Sequence, residues 1–144
     1  MRTISVITYG SLQYEQMVAL RDKVLRKPLG LSFTTEELAK DSNDILLGCF
    51  EGIEMIACLI ITQLPNQTYK LRQMAVDESR QNNGIGREII QFAETIAIEN
   101  KVQLIELNAR KVAVEFYLKL NYKIVGDIFF EVGIEHLRME KNLQ

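Results

Sequence analysis

Apolar residues recur along the chain with two periods, and each change of period marks the end of a predicted element. In residues 2–9, Ile4 and Val6 alternate with polar neighbours, and Tyr9 is a further candidate for this pattern, which is typical of a half-buried strand. Helical spacing then runs from Met17 onward. Pro28 and Gly30 predict the end of that first helix.

The rest of the chain continues this division into helices and strands. Thr34 and Glu37 have the spacing of a capping box, which predicts a short second helix that ends near Lys40. Two apolar runs joined through Glu51–Gly52 are typical of a hairpin. The further predicted elements are strands 44–50, 55–63 and 69–76, a helix 85–100, a strand 104–107, a helix 112–120, and strands 124–130 and 137–139.

This order of elements predicts the fold class. Three consecutive strands form a meander, and a strand–helix–strand segment follows them. Such a combination indicates an α/β protein with a central mixed, mostly antiparallel sheet and helices on both faces. No linker or low-complexity tract divides the sequence, so residues 1–144 are predicted to form a single domain.

Charge and composition exclude several classes of function. A formal net charge of -2, with Lys and Arg scattered, argues against a nucleic-acid surface. The longest apolar run, residues 55–61, is far shorter than the ~20 residues of a membrane span, and the first residues do not resemble a signal peptide. Cys49 and Cys58 match no metal-ligand spacing, so we expect buried free thiols, no bound metal and a cytoplasmic protein.

The polar loop after the third strand of the meander carries the strongest chemical signal. Unpaired N–H groups where a helix starts carry partial positive charge and attract phosphates. Glycine leaves the backbone there open to a bound anion. Arg80 and Arg87 flank the loop and would add positive charge. The loop consists of Gln81, Asn82, Asn83, Gly84, Ile85 and Gly86.

Two well-known phosphate loops fit this segment worse. A P-loop needs Gly-Lys-Ser/Thr where this chain has Gly86-Arg87-Glu88. A dinucleotide-binding loop needs a third glycine where Ile89 stands, and its glycines follow the strand almost directly. A polar loop that uses glycine only to enter a helix remains the structural alternative.

The same segment resembles a known family motif. Met74–Asp77 followed by Arg80–Gly86 is similar to the acyl-CoA-binding motif of the GNAT superfamily of N-acetyltransferases, and the element order resembles the GNAT fold over the whole chain. Residues 21–30 and 133–139 resemble a branch of small bacterial "predicted acyltransferases". That branch usually has Pro where this chain has Glu135.

The resemblance implies a set of cofactor contacts. Backbone N–H groups of the loop, with Arg87 beside them, would face the pyrophosphate of coenzyme A. The edge of the strand that ends with Met74, Ala75 and Val76 would pair with the pantetheine arm, and one of its N–H groups would polarise the thioester carbonyl. The arm would enter where this strand splays from strand 104–107. Asn108, at the end of that strand, would touch the cofactor, although a turn or helix-cap role fits it equally.

The resemblance also implies a general acid but leaves the base open. Ala113, Phe116 and Tyr117 match the family's Ala-x-x-Phe-Tyr pattern, in which the Tyr hydroxyl protonates the departing thiolate. Periodicity alone favours a packed tyrosine with its hydroxyl at the surface. The sites where a carboxylate base is expected hold Arg72 and Gln73. His136, the one histidine, and Glu106 are the remaining candidates, and a lone histidine is more often structural.

These inferences predict an acetyl-CoA-dependent N-acetyltransferase that acts on a primary amine of a small molecule. Two alternatives remain: a protein or peptide acceptor, and a non-catalytic acyl-CoA sensor that has lost its acid and base. Arg21 and Arg26 would either bind an acidic acceptor or lie on a solvated helix face. The oligomeric state stays open, and pairing of the last strands would give a homodimer.

Overall fold

Seven strands form one sheet in the computed structural model, which describes residues 1–143. They lie in the order β1-β2-β3-β4-β5-β7-β6; β4 and β5 are parallel, and the other adjacent strands are antiparallel. The strands are β1 (Arg2–Ile7), β2 (Ile45–Glu51), β3 (Glu54–Leu64), β4 (Thr68–Val76), β5 (Leu104–Arg110), β6 (Lys123–Glu131) and β7 (Ile134–Asn142).

Four α-helices and several shorter helical turns connect the strands. The α-helices are α1 (Leu12–Arg21), α2 (Thr35–Ala39), α3 (Ile85–Glu99) and α4 (Val114–Lys119). A π-helix, Asp22–Arg26, continues α1, and 3₁₀ turns lie at Lys27–Leu29, Lys40–Asn43, Glu78–Arg80 and Lys111–Ala113. Within residues 1–143, no helix combines the length and the apolar character that crossing a membrane requires.

The sheet separates two hydrophobic cores. On one face, Ile89 and Ala93 of α3 pack with Leu59 of β3, and α4 adds to the same core. On the other face, Met17 of α1 packs with Ile60 of β3. Neighbouring residues of β3 thus point to opposite cores, as the period of a strand requires. The predicted order of elements, and the mixed sheet with helices on both faces, are confirmed.

The first predicted element differs in extent and orientation. The strand ends at Ile7, so Tyr9, which is 41% exposed, lies outside it, and Val6, expected on the buried side, is 59% exposed. β1 is an edge strand of the sheet, and the core under α1 receives Ile7 instead. The apolar spacing after Met17 also covers more than one element, because α1 ends at Arg21 and the π-helix follows it.

Two strands near the carboxyl end are longer than predicted. β5 extends to Arg110 rather than residue 107, and β7 covers Ile134–Asn142 rather than residues 137–139. Both have one apolar and one polar face, so their polar residues gave no strand signal. Asn108 therefore lies within β5 rather than at its end, which excludes the turn and helix-cap interpretations.

Candidate functional site

A gap opens between β4 and β5 at the centre of the sheet. Their parallel pairing runs from Thr68 beside Leu104 to Leu71 beside Leu107, and both strands continue beyond it. Asp77 donates its N–H to the Ile56 carbonyl of β3 at 2.9 Å. Asp77 and, two positions earlier, Ala75 thus turn their backbone groups toward β3. Because these groups alternate in direction along a strand, those of the intervening residues, Val76 and Met74, point into the gap.

A β-bulge lies in β4 where the gap begins. Cys58 pairs with Ala75 and Ile60 pairs with Arg72, so one residue of β3 opposes two of β4, Gln73 and Met74. Gln73 has a φ of 55°, and its Oε1 is buried without a hydrogen-bond partner in residues 1–143. A bulge bends its strand and re-aims the backbone, a feature common beside active sites. Ala75 pairs with β3 and is 2% exposed, so its backbone groups point away from the gap.

The predicted phosphate loop connects β4 to the start of α3. Residues 81–84 are exposed, and Asn82 and Gly84 have left-handed φ values of 69° and 78°. Gly84 caps α3 without a side-chain hydrogen bond. The N–H groups of the first helical turn, which begins at Ile85, are therefore left to solvent or to a ligand.

The two loop glycines have different structural roles. A Cβ on Gly84 would meet no atom within 4 Å, but its φ of 78° disfavours any other residue. A Cβ on Gly86 would lie 3.2 Å from the Phe116 ring and 3.9 Å from Met74. Gly84 thus gives the loop its backbone conformation, whereas Gly86 lets α3 approach Phe116 of α4.

Of the arginines near the loop, Arg87 is the one with a free charge. It is exposed, and nothing in residues 1–143 forms a hydrogen bond or ion pair with its side chain. Arg80, which the sequence placed beside it as a second cation, instead lies 2.7 Å from Glu51. Arg2 of β1, which the sequence gave no reason to select, donates to the Asn83 carbonyl at 3.2 Å and holds the loop against the sheet edge.

The face of β5 opposite α3 is polar, and register brings several candidate residues together on it. Arg110 pairs with His136 and Asn108 pairs with Arg138, so these four side chains share a face of adjacent strands. Glu106 lies on the same face, but its carboxylate is 3.1 Å from Nη2 of Arg138 and is therefore ion-paired.

His136 is held by the turn between β6 and β7. Its side chain is nearly buried, with the residue 4% exposed, and Nδ1 is 2.8 Å from the Ile134 carbonyl oxygen. Since that oxygen can only accept, Nδ1 carries the proton and Nε2 holds the lone pair of the neutral ring. Nε2 lies 3.6 Å from the Glu131 carboxylate, and Phe129 stacks on the ring at 5.9 Å between centroids.

Tyr117 lies on the other face of the sheet, in the core with α3. Its ring packs edge-on against Phe116 and Tyr122. The Tyr117 hydroxyl has no hydrogen-bond partner in residues 1–143, and it is not fully shielded from solvent. The Tyr122 hydroxyl, in contrast, donates to Glu94 at 2.9 Å. Burial raises the pKa of Tyr117 to about 12, so the hydroxyl keeps its proton near neutral pH. Tyr117 and His136 thus lie on opposite faces of the sheet.

The arginines of the first helix have roles that the sequence did not indicate. Arg21 is 1% exposed, and its guanidinium contacts the buried Asp41 at 2.8 Å. Nη2 of Arg72 lies 2.8 Å from the other Asp41 oxygen and 2.5 Å from Asp44. Both predicted roles for Arg21, acceptor binding and a solvated face, are therefore wrong. Arg21 joins α1, the 3₁₀ turn after α2 and β4 through Asp41.

Arg26 is also occupied by the protein. Its guanidinium lies 3.0 Å from Glu37 and 4.1 Å from the centre of the Phe33 ring. Charge pairing and a cation–π contact together fix the π-helix against α2. Neither arginine of the first helix is therefore left to bind a ligand.

A comparison with protein families decides the assignment of this site. The model of the acetyltransferase (GNAT) domain matches residues 15–143. The chain belongs to the GNAT acetyltransferase domain family. The resemblance seen in the loop motif and in the element order is thereby confirmed.

Relatives and solved structures agree with this assignment. YjcF of Bacillus subtilis strain 168, an uncharacterised N-acetyltransferase, is 34% identical over 74 residues, which are 51% of this chain and 53% of YjcF. This GNAT domain spans about half the length of the curated relatives it matches.

The solved structures show the same fold at low identity. A Lactobacillus plantarum protein assigned as an N-acetyltransferase has a TM-score of 0.89 at 19% identity, over 99% of both chains. An aminoglycoside 6'-N-acetyltransferase in complex with coenzyme A has a TM-score of 0.82 at 18% identity, over 99% of this chain and 97% of that one.

Proposed function

We propose that this GNAT domain transfers an acetyl group from acetyl-CoA to a primary amine of a small molecule. The observation that carries the proposal is the gap between β4 and β5, which starts after Leu71 and Leu107 and lies beside the uncapped start of α3. An extended thioester arm needs an unpaired strand edge, and a pyrophosphate needs free N–H groups. The fold provides both in one place.

Cofactor binding would divide between backbone and side chains. The N–H groups of the loop, from Gln81 through Gly86, would bind the pyrophosphate, and Arg87 would add a charge-assisted hydrogen bond. The backbone groups of Met74 and Val76 that point into the gap would pair with the pantetheine arm. Asn108 borders the same gap from β5 and would contact the arm from the other side. The residues present therefore suit coenzyme A.

The transfer itself would be a direct attack. The neutral amine nitrogen forms a bond to the thioester carbon, and the carbon–sulfur bond breaks when the tetrahedral intermediate collapses. Tyr117 gives its hydroxyl proton to the departing thiolate, since this hydroxyl is protonated near neutral pH. Nε2 of His136 receives the proton that the attacking nitrogen loses, and Glu131 stabilises the resulting imidazolium.

Acetyl-CoA should raise the melting temperature of this protein, and replacing Gly84 by valine should abolish that rise. A ligand that binds the native state alone stabilises by about 2.7 kcal/mol at 100 times its Kd. Valine at the left-handed φ of 78° would distort the loop backbone that holds the pyrophosphate. Differential scanning fluorimetry with and without acetyl-CoA measures both effects.

Gly30→Val is the matched control for that experiment. Gly30 has a φ of 70° and equally open surroundings, but it lies in the turn after residue 29 and is not part of the loop. The control should lose some stability and keep the full acetyl-CoA shift. An unchanged melting temperature of the wild type at millimolar acetyl-CoA would refute the proposed function. A screen for thiol release with an amine library then separates an enzyme from a non-catalytic sensor.

His136→Asn should lower kcat by about 10²-fold or more, the usual contribution of a general base. The asparagine amide can still donate to the Ile134 carbonyl, as Nδ1 does, but it offers nothing in the place of Nε2. Acetyl-CoA affinity, measured by titration calorimetry, should stay within twofold of the wild type. A variant with normal kcat would assign His136 a structural role in the β6–β7 hairpin.

A further inference from the structure

The arginines of this protein are nearly all neutralised by its own carboxylates. Six of the eight form ion pairs with Asp or Glu within residues 1–143, and these six are Arg2, Arg21, Arg26, Arg72, Arg80 and Arg138. Arg87 and Arg110 have no such partner in that part of the chain. Arg87 is exposed beside the loop of residues 81–86, where water can pair with it and where, under the proposed function, a cofactor phosphate would. Arg110 needs another explanation.

Arg110 is half-buried at the carboxyl end of β5, three residues beyond the last β4–β5 pair, Leu71 with Leu107. One hydrogen bond from its guanidinium is found in residues 1–143, from Nη2 to the Leu25 carbonyl at a long 3.4 Å. A guanidinium has five N–H donors, so most of the donors of Arg110 have no acceptor from the described chain. None of these unpaired donors is sealed from solvent within residues 1–143, so water or a ligand can reach them. An anionic ligand would supply the missing partner.

The direction of the Arg110 side chain shows on which face of the sheet such a ligand would lie. Its bond to Leu25 places the guanidinium on the face that carries α1 and the π-helix, opposite α3 and its phosphate loop. Its neighbour in β7 on that face is His136, the proposed base. On its other side Arg110 contacts the π-helix, which contains Leu25, and π-helices are frequent at functional sites. Arg110 therefore borders the side from which an acceptor reaches the thioester, not the side of the cofactor phosphates.

We propose that Arg110 binds a carboxylate of the acceptor, so that this GNAT domain acetylates amines that also carry a carboxylate, such as amino acids. This inference rests on the proposed acetyl transfer. Arginine pairs with carboxylates through two parallel hydrogen bonds, which fixes both position and orientation. The other charged groups on this face do not compete: Glu106 is paired with Arg138, and Glu131 faces His136. The acceptor carboxylate at Arg110 would orient its amine toward His136.

Matched acceptor pairs test the inference. Each pair is an amino acid and its decarboxylated amine: leucine with isopentylamine, and phenylalanine with phenethylamine. Thiol release from acetyl-CoA gives kcat/KM for each acceptor. The wild type should prefer the carboxylate-bearing member by about 10- to 100-fold, as expected for hydrogen bonds to a charged group. Arg110→Gln should reduce that ratio to about one, and Arg110→Lys should retain part of it.

Lys111→Gln is the control, because it removes the same charge one residue along the chain. Lys111 is exposed, with its amine 3.4 Å from Glu135 in a surface pair of little energetic weight. The Lys111→Gln variant should have the same ratio of kcat/KM values for the acceptor pairs as the wild type. All variants should keep the wild-type Kd for acetyl-CoA and the acetyl-CoA shift in melting temperature.

Three outcomes would overturn the inference. In the first, the wild type prefers the decarboxylated amines or acetylates no carboxylate-bearing amine. In the second, Arg110→Gln leaves the ratio of kcat/KM values unchanged. In the third, the main defect of Arg110→Gln is weaker acetyl-CoA binding. The last would assign Arg110 to the cofactor phosphates. If acetyl-CoA still binds and neutral amines are acetylated, the proposed function stands and the inference about Arg110 alone fails. If acetyl-CoA does not bind, the proposed function fails first.

Discussion

Replacing Tyr117 by phenylalanine should lower kcat by about 10²- to 10⁴-fold, the usual contribution of a general acid. The hydroxyl is the one polar group of this buried ring, and no group in residues 1–143 uses it. Its loss therefore removes a proton donor without breaking a hydrogen bond within the described chain. The Kd for acetyl-CoA should change little, since phenylalanine keeps the packing against Phe116. Steady-state thiol release and calorimetric titration measure the two quantities.

Tyr122→Phe provides the matched comparison on the same ring cluster. The Tyr122 hydroxyl donates to Glu94 at 2.9 Å and lies away from solvent. Removing it leaves the half-buried Glu94 carboxylate with Lys141 as its remaining partner. This variant should lose about 1–3 kcal/mol of unfolding free energy but keep kcat at temperatures where it is folded. If Tyr117→Phe turned over at the wild-type rate, Tyr117 would have no part in proton transfer.

Asp41→Asn should cause the largest loss of stability among charge-removing substitutions. Asp41 is 0% exposed and contacts Arg21, Arg72 and the Tyr14 hydroxyl at 2.8, 2.8 and 2.7 Å. Without its charge, Arg21 would keep a buried guanidinium with no anion. Removing one partner of a buried ion pair costs about 3–5 kcal/mol, a large part of the 5–15 kcal/mol typical of a domain. Urea unfolding followed by circular dichroism measures the difference.

The control for Asp41 is Asp127→Asn on the exposed edge strand β6. Asp127 is exposed and forms no ion pair in residues 1–143, so its replacement should change the unfolding free energy by less than about 0.5 kcal/mol. If Asp41→Asn lost no more than about 1 kcal/mol of unfolding free energy, the ion pairs of Asp41 with Arg21 and Arg72 would contribute no more than an exposed salt bridge does. Their role in joining α1 to β4 would then be excluded.

Asp41 also determines how stability should vary in acid. Burial raises its pKa, but hydrogen bonds from Arg21, Tyr14 and Arg72 lower it by more, so the pKa in the folded protein lies below the ordinary value. Stabilisation from such a group is complete above the unfolded pKa of about 3.9 and is lost as the pH falls through the folded pKa. The unfolding free energy should therefore fall as the pH drops below about 4, less steeply in Asp41→Asn.

The sequence by itself determined the features that local physics decides. The capping box of Thr34 and Glu37 has both of its predicted hydrogen bonds, because cap and acceptor are three residues apart. The glycine-containing loop before α3 and the order of strands and helices follow from periodicity and from the family motif. For the helix cap and the hydrophobic periodicity, neighbouring residues supply the physical cause.

Only the tertiary structure decided which side chains are free and where the strands separate. The end of β4–β5 pairing at Leu71 depends on a bulge at Gln73, whose conformation no local pattern predicted. Arg21 and Arg72 reach Asp41 from 20 and 31 positions away, which turned an expected solvated arginine into a buried one. Register across β5 and β7 likewise put Arg110 beside His136. A side chain's partner depends on the packing of elements distant in the chain, and hydrophobic periodicity carries no information about that packing.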